Sequence, residues 1–440
     1  MRDALGLPLS GADARAAAHY LRAARELQCF IGDPVASADA AIAAAPGFVM
    51  AHVIKGYLFG LSTEREAMAV ARACHAAAAS LPATPREAGH VAALGRLAQG
   101  SWHDAGRLLE DIAIDHPLDA LALQAGHQID FFTGDARMLR DRLARALPAW
   151  DAAMPGYHAI VGMQAFGFEE MGDYVQAERL GRRAVELEPQ DGWAQHAVAH
   201  VMEMQCRHRA GIAWMRESAE NWTRGSFLQV HNWWHLALFH YDLGEVGEVL
   251  TLYDGPIACA GSQLALNLVD ASAILWRLHL GGHDVGDRWT SLAQRWEPKT
   301  GAANYAFNDI HAMMAFVGAG RSDLAHRLLE AQKAAIEAED DNAAFTRDIG
   351  YPLSLAIQRF GDGDYAAATR LIRPVRPIAH RFGGSHAQRD IIDLTLVEAA
   401  IRSGEDRLAR ALAAERCAAR PDSPLSHYFV RRADELLTPA

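Results

Sequence analysis

The 440-residue chain has little cysteine, little basic charge and no long apolar run. Its five cysteines are scattered and form no C-x-x-C pair, so neither a disulfide framework nor a thiolate zinc site is predicted. The formal net charge of -12 argues against nucleic acid or an anionic membrane as the partner, because both require a basic surface. No run approaches ~18 apolar residues, and the N-terminus lacks a signal-peptide pattern. We therefore expect a soluble, cytoplasmic protein with a small-molecule or peptide partner.

Signatures of nucleophilic and nucleotide chemistry are also missing. The sequence contains no G-x-S-x-G elbow and no glycine-rich phosphate loop, and no cysteine accompanies its histidine motifs. The hydroxyl of Ser385, in GGSHAQRD, is better explained as a helix N-cap. No stretch has the period-two alternation of a strand. These absences favour an all-α protein and leave histidines and carboxylates as the chemically active groups.

A short turn signature recurs along the chain. It is a glycine, often followed by an acidic residue, with a small residue about five positions later. With a weaker member near Arg207 included, consecutive members lie roughly 30 to 43 residues apart, which brackets the ~34-residue tetratricopeptide period. Prolines follow several second helices, where they end them. The turn glycines are Gly100, Gly134, Gly172, Gly244, Gly282, Gly320, Gly363 and Gly404.

The predicted fold class is an all-α, tetratricopeptide-like helix-turn-helix solenoid. We expect one solenoid over residues 1–440, built from roughly ten divergent helix pairs stacked into a right-handed superhelix. The best single unit is about 157–189, and the central repeats of 191–244 bear the site. In such stacks the first helix of each pair lines the concave face, so its polar residues converge on an inner channel. That channel is predicted to be either an open groove or a pocket curled closed.

Histidines four residues apart mark the centre of the chain. His196 with His200 and His231 with His235 each share one helical face, because residues three, four and seven apart lie together. His200 and His235 are the candidate catalytic bases. The candidate ligand-binding residues are His196, Glu203, His231, Asn232, Trp234, Asp270, Asp309, His311, Gln388, Arg389 and Asp390.

The same central residues also have the composition of a metal site. Two imidazoles at positions i and i+4 can hold one ion, and a carboxylate at i+7 can join them. No cofactor is expected, but a divalent metal ion remains an alternative on His196, His200, Glu203, His231 and His235. The alternatives to a metal are hydrogen-bonded core histidines or a metal-free polar pocket.

Several of these motifs carry a family resemblance. The segments HAVAHVMEM, HNWWHLAL, LVDASAILWRL, FNDIHAMMA and GGSHAQRD, in this order, resemble the tetratricopeptide repeat protein 38 family. The similarity extends from FVMAHVIKGYLFG to PDSPLSHYFVRRA, with Trp233 standing where the family has a tyrosine. The resemblance implies an all-helical solenoid and an intracellular protein. It implies no reaction, cofactor or catalytic residue.

Two functions are consistent with this pattern. The first is a tetratricopeptide-repeat protein that binds a small molecule or a short peptide in its concave pocket through the His/Asp/Glu/Arg cluster. The second is an enzyme of hydrolase or lyase type that uses the same cluster for acid-base chemistry, with Arg389 holding an anion. The sequence leaves the ligand and the oligomeric state undetermined.

Overall fold

In a computed structural model of the chain, residues 1–258 and 262–437 are described. Residues 259–261, which include Cys259, lie outside these residues; they belong to the segment 252–263, where proline and glycine predict a loop. The described backbone is helical throughout, and its only β contacts are two isolated bridges. No helix among the described residues is both long and apolar enough to cross a membrane. The all-α fold class is therefore confirmed.

The helices fall into two compact units, which we describe separately. The first unit comprises residues 1–198 and 218–229, and the second comprises 199–217 and 230–440. The first ten helices are α1 (Ala14–Cys29), α2 (Pro34–Ala44), α3 (Val49–Gly60), α4 (Ala67–Ala79), α5 (Pro85–Ala98), α6 (Trp102–Asp115), α7 (Ala120–Phe132), α8 (Ala136–Ala146), α9 (Tyr157–Glu170) and α10 (Tyr174–Leu187). Then come α11 (Gly192–Met204), α12 (His208–Glu217), α13 (Ala219–Thr223), α14 (Gln229–Asp242), α15 (Val246–Leu252), α16 (Ala265–Leu280), α17 (Arg288–Trp296), α18 (Ala306–Gly318), α19 (Ser322–Ile336), α20 (Asp341–Phe345), α21 (Tyr351–Gly361), α22 (Tyr365–Val375), α23 (His386–Arg402), α24 (Asp406–Ala419) and α25 (Pro424–Glu435).

Short 3-10 and π segments extend some of these helices. The 3-10 turns are Leu147–Ala149, Glu297–Lys299 and Arg376–Phe382, and the π turns are Tyr253–Ile257 and Thr346–Gly350.

The predicted turn glycines join the helix pairs. All eight have positive φ values, between 67° at Gly320 and 85° at Gly100, as a left-handed residue that ends a helix requires. Where an aspartate follows the glycine, at Asp135, Asp173 and Asp364, its side chain caps the next helix. In α10, for example, the Asp173 carboxylate accepts a hydrogen bond from the backbone N–H of Gln176. The sequence signature therefore encodes the two adjacent helix ends of each pair.

In the first unit, successive helices pack as hairpins. Contacts join α1 to α2, α3 to α4, α5 to α6 and α9 to α10, while first helices of successive pairs also meet, as α3 meets α5. The pair α9–α10 matches the predicted 157–189 unit. This row of helix pairs is the arrangement of a helical solenoid.

The second unit also contains a contact between helices distant in sequence. Helix α16 packs against α18, which follows it, and against α23, more than 100 residues later. The indole N–H of Trp276 donates to the Thr395 hydroxyl at 3.0 Å, and the Arg277 guanidinium donates to the Ala387 carbonyl at 2.8 Å. These bonds hold α23 against α16, the helix that contains the segment LVDASAILWRL. The single solenoid over 1–440 and its superhelical handedness stay predictions.

Candidate functional site

Three histidines converge in the second unit. His200 lies on α11, and His231 and His235 lie one turn apart on α14. The ring centroids of His200 and His235 are 4.4 Å apart, and those of His231 and His235 are 4.9 Å apart. One ring nitrogen from each histidine lies within 4.8 Å of one from each of the others. The predicted i, i+4 spacing thus places two imidazoles on one face of α14, opposite His200.

Two of these imidazoles are oriented by carboxylates. Nδ1 of His235 lies 3.1 Å from Oε2 of Glu203, and Nδ1 of His231 lies 2.9 Å from Oδ1 of Asp270. A carboxylate accepts Nδ1–H and so leaves the lone pair on Nε2. His235 is fully buried, whereas the side chain of His231 is 15% exposed. The site is thus an ordered imidazole cluster with one edge near solvent.

Trp234 and Asn232 form the inner wall beside the cluster. Both side chains are fully buried, whereas Trp233, on the adjacent helical position, is half-buried. The Trp234 ring stacks on His231 with centroids 5.3 Å apart. The guanidinium of Arg277, on α16, lies 5.3 Å from the centroid of the Trp234 ring. An apolar ring on one side and a cation behind it hold His231 in one orientation.

A buried network of charges continues from Glu203 toward the chain's C-terminal end. Burial raises the pKa of Glu203, while Arg420, whose nitrogen is 3.8 Å away, opposes that rise. Arg416 binds both oxygens of Asp390, at 2.6 and 3.1 Å, and the neighbouring arginines lower the pKa of Asp390 below its usual range. These groups therefore form a neutralised ion network.

The cavity within this network is small. Its volume is about 20 Å³, which is space for about one water molecule. The network is closed by Asp242, which accepts from the Ser423 hydroxyl at 2.6 Å and pairs with His208. There is accordingly no room for a drug-sized ligand among these charges.

Sequence reasoning missed several members of this network. The missed residues are His208, Asp242, Arg277, Arg416 and Arg420. Arg277 had a signal, since it is the one basic residue in the mainly apolar segment LVDASAILWRL. The others had none, because they lie at helix ends far apart in sequence.

The other predicted residues also make contacts within their own units. His196 belongs to the first unit, where its ring stacks on Phe166 at 5.4 Å. On α18, His311 donates Nδ1–H to the Phe307 carbonyl at 2.8 Å, and burial lowers its pKa to about 4. Burial likewise raises the pKa of Asp309 to about 7, beside the amide of Gln332. Each is held by its own neighbours.

The GGSHAQRD segment forms the start of α23. Ser385 and Gln388 make a reciprocal capping box, which confirms the N-cap prediction for Ser385. The Arg389 guanidinium donates to the Gly384 carbonyl and lies against His386. Only Asp390, of the predicted residues here, reaches the network that contains Glu203.

Another cavity lies in the first unit, lined by residues outside the predicted ligand-binding set. Its volume is about 400 Å³, within the usual range for small-molecule sites. Two of its lining residues form an ion pair, in which Asp119 accepts from Arg86 at 2.6 Å, and Asp119 also pairs with His90 at 2.9 Å. The neighbouring His90 and Arg86 keep the pKa of Asp119 below its usual range, against the opposing effect of burial.

Comparisons with known proteins find similar solved structures but no matching family model. No protein-family model matches the chain. The chain is similar to the crystal structure of the APC/C hetero-tetramer Cut9-Hcn1, with 12% identity over 98% of this chain and 78% of that chain and a TM-score of 0.44. It is also similar to the crystal structure of yeast Tom70, with 11% identity over 96% of this chain and 88% of that chain and a TM-score of 0.33. Similarity at this level assigns neither a family nor a function.

Proposed function

We propose that this protein binds one divalent transition-metal ion through His200, His231 and His235. In this proposal, the ion is presented to a small molecule or a short peptide segment that supplies a further donor atom. The observation that carries the proposal is the approach of three imidazole nitrogens to within 4.8 Å of one another, two of them backed by carboxylates. The site would work in the cytoplasm.

The backing carboxylates are the strongest support for an ion. Metal-binding histidines nearly always donate their other N–H to a carboxylate or carbonyl, which fixes the tautomer and raises ligand basicity. Glu203 and Asp270 stand in that position on His235 and His231. Imidazole donors suit zinc, copper, iron and nickel. The residues present therefore fit an ion of this class.

The proposed site differs from a purely structural one. If three histidines hold the ion, its fourth coordination position is open to an exogenous donor, as in catalytic zinc sites. The partly exposed ring of His231 gives the cluster an edge through which a donor can approach. The competing explanation is a set of core histidines satisfied by hydrogen bonds alone.

Metal content of the full chain distinguishes these explanations. The wild type, His231→Ala and His235→Ala are each purified, loaded with zinc and dialysed. Elemental analysis then measures the zinc that stays bound to each protein. We expect about one equivalent of zinc less in each variant. The control is His279→Ala, which removes another imidazole of the same unit, one stacked on Trp276. Equal zinc in all four proteins would refute the proposal.

An enzyme is the second candidate, favoured by the same open position. A hydrolase or lyase reaction would use the ion to polarise a substrate oxygen. Turnover in a screen of ester, amide and hydroxy-acid substrates would then require the metal-loaded protein and would fall in His231→Ala. Ligand binding without turnover would instead favour the first candidate.

A further inference from the structure

Three unlike donor atoms meet in the first unit. Cys29 is the last residue of α1, His158 lies in the first turn of α9, and Glu188 follows α10. The sulfur, one ring nitrogen and one carboxylate oxygen all lie within 4.8 Å of one another. Cys29 is fully buried and the other two are half-buried. Three helix ends thus place a thiol, an imidazole and a carboxylate at one point.

The imidazole of this group is oriented by a rigid carboxylate. Oδ2 of Asp191 lies 2.7 Å from Nδ1 of His158, while its Oδ1 accepts the backbone N–H of Ala194 at 2.9 Å. Asp191 is therefore fixed as the N-cap of α11 and presents one oxygen to the ring. With Nδ1–H donated to Asp191, Nε2 carries the lone pair of His158.

The carboxylate of Glu188 is held more loosely. Its Oε2 accepts a hydrogen bond from Arg25 at 3.0 Å, and the Arg25 side chain is 53% exposed. An ion pair this exposed contributes little to stability, so Glu188 can exchange Arg25 for another cation at little cost. Arg25 would then remain beside the site as a free positive charge.

The 400 Å³ cavity opens onto the same group. His158, Glu188 and Arg25 all contribute to its lining, and six leucines supply much of its apolar wall. These leucines are Leu5, Leu7, Leu21, Leu27, Leu118 and Leu121. The cavity is also lined by Asp3, Arg86 and Asp119, and an apolar chamber that carries charged groups suits an amphipathic small molecule.

We propose that Cys29, His158 and Glu188 bind a zinc-class ion whose fourth position faces this cavity, and that the cavity takes a mainly apolar carboxylic acid. The donors differ from those of the histidine site and lie in the other unit, so the two proposals are independent. Sulfur, nitrogen and oxygen donors together suit zinc, which is borderline-soft. Binding releases the thiol proton of Cys29 to solvent. Thiolate and carboxylate then balance the charge of the ion, and Arg25 offers a positive charge to the ligand.

Sequence patterns had no means of finding this site. Zinc motifs are recognised by close spacing such as C-x-x-C, whereas His158 follows Cys29 by more than a hundred residues. Only the packing of α1 against the start of α9 and the end of α10 brings the donors together.

Cobalt titration of the full reduced chain tests the metal site. A sulfur-to-cobalt charge-transfer band is expected in the wild type and is expected to disappear in Cys29→Ser. Cys74→Ser is the matched control, since Cys74 is also a buried free cysteine of the first unit. His200→Ala should also retain the band, which separates this site from the histidine cluster. A wild type without the band, or a Cys29→Ser protein that keeps it, would overturn the proposal.

A second variant guards against misfolding. Glu188→Gln alters a half-buried side chain, so the fold should survive. The affinity for cobalt, measured by titration from the sulfur-to-cobalt charge-transfer band, should fall more than tenfold. Unchanged affinity would remove Glu188 from the ligand set and contradict the proposal.

Octanoate, added to the cobalt-loaded wild type, should shift the band, whereas octan-1-ol should not. If octanoate has no effect, the assignment of the cavity to a carboxylic acid is wrong.

Discussion

Nδ1 of His235 donates a hydrogen bond to Oε2 of Glu203 across 3.1 Å, from α14 to α11. This bond fixes which ring nitrogen of His235 is free to bind an ion, and it joins the histidine cluster to the buried network behind it. Glu203 therefore has a role in positioning as well as in charge balance.

Glu203→Gln should lower zinc affinity at the histidine site by about 10- to 100-fold, the usual cost of losing an outer-shell carboxylate. The matched control is Glu245→Gln. Glu245 pairs with Nδ1 of His240 in the same unit, away from the three histidines. Isothermal titration of both variants tests the prediction, which fails if they bind zinc equally well.

Asp309 should make stability depend on pH. Its pKa rises from 3.8 to about 7 on burial, so between these values the unfolded chain has lost a proton that the folded chain keeps. The folded state then binds more protons, and the free energy of unfolding falls as pH rises through this window. The loss is about 4 kcal/mol at most.

Urea unfolding of Asp309→Asn at pH 5 and pH 8 measures this effect. The variant should lose less stability than the wild type between the two values. Asp323→Asn is the control, because Asp323 is exposed and has a pKa of about 2, outside the window. A wild type with the same pH dependence as Asp309→Asn would show that Asp309 ionises normally.

Asp390 should be required for stability rather than for ligand binding. Asp390→Asn leaves Arg416 without its bidentate partner in a buried setting, at a cost of about 3–5 kcal/mol. Asp434→Asn, which breaks an exposed pair with Arg410, should cost less than about 1 kcal/mol. Chemical denaturation compares them, and similar small losses would contradict the buried network.

Much of the fold follows from local sequence. The Gly172-Asp173 pair specifies a helix end and the next helix start within two residues, so the turn could be predicted without any tertiary contact. The i, i+4 spacing of His231 and His235 likewise settles which side chains share a face.

The rest depends on contacts between distant segments. Arg389 and Asp390 are both predicted to line the inner channel, yet adjacent positions on a helix diverge by ~100°. Asp390 consequently meets Arg416, whereas Arg389 binds the Gly384 carbonyl. The cavity of the first unit was missed for the same reason, since its walls come from residues 3 to 188.

Close helix packing in the first unit depends on Gly167. A Cβ at this position on α9 would lie 2.5 Å from the Leu139 carbonyl oxygen on α8. Gly167→Ala should therefore lower stability by about 1–3 kcal/mol. Gly247→Ala, on α15, meets no atom within 4 Å and should raise stability by up to about 1 kcal/mol. Thermal melting that shows the same change in both would contradict this packing.

X-ray absorption at the zinc edge tests the histidine site most directly. With one equivalent of zinc bound to Cys29→Ser, which removes the sulfur of the first unit, we expect three imidazole nitrogens at about 2.0–2.1 Å. In His231→Ala and His235→Ala that imidazole shell should be reduced or lost. A spectrum of oxygen ligands without imidazole scattering, or one unchanged by both substitutions, would contradict zinc binding by these histidines.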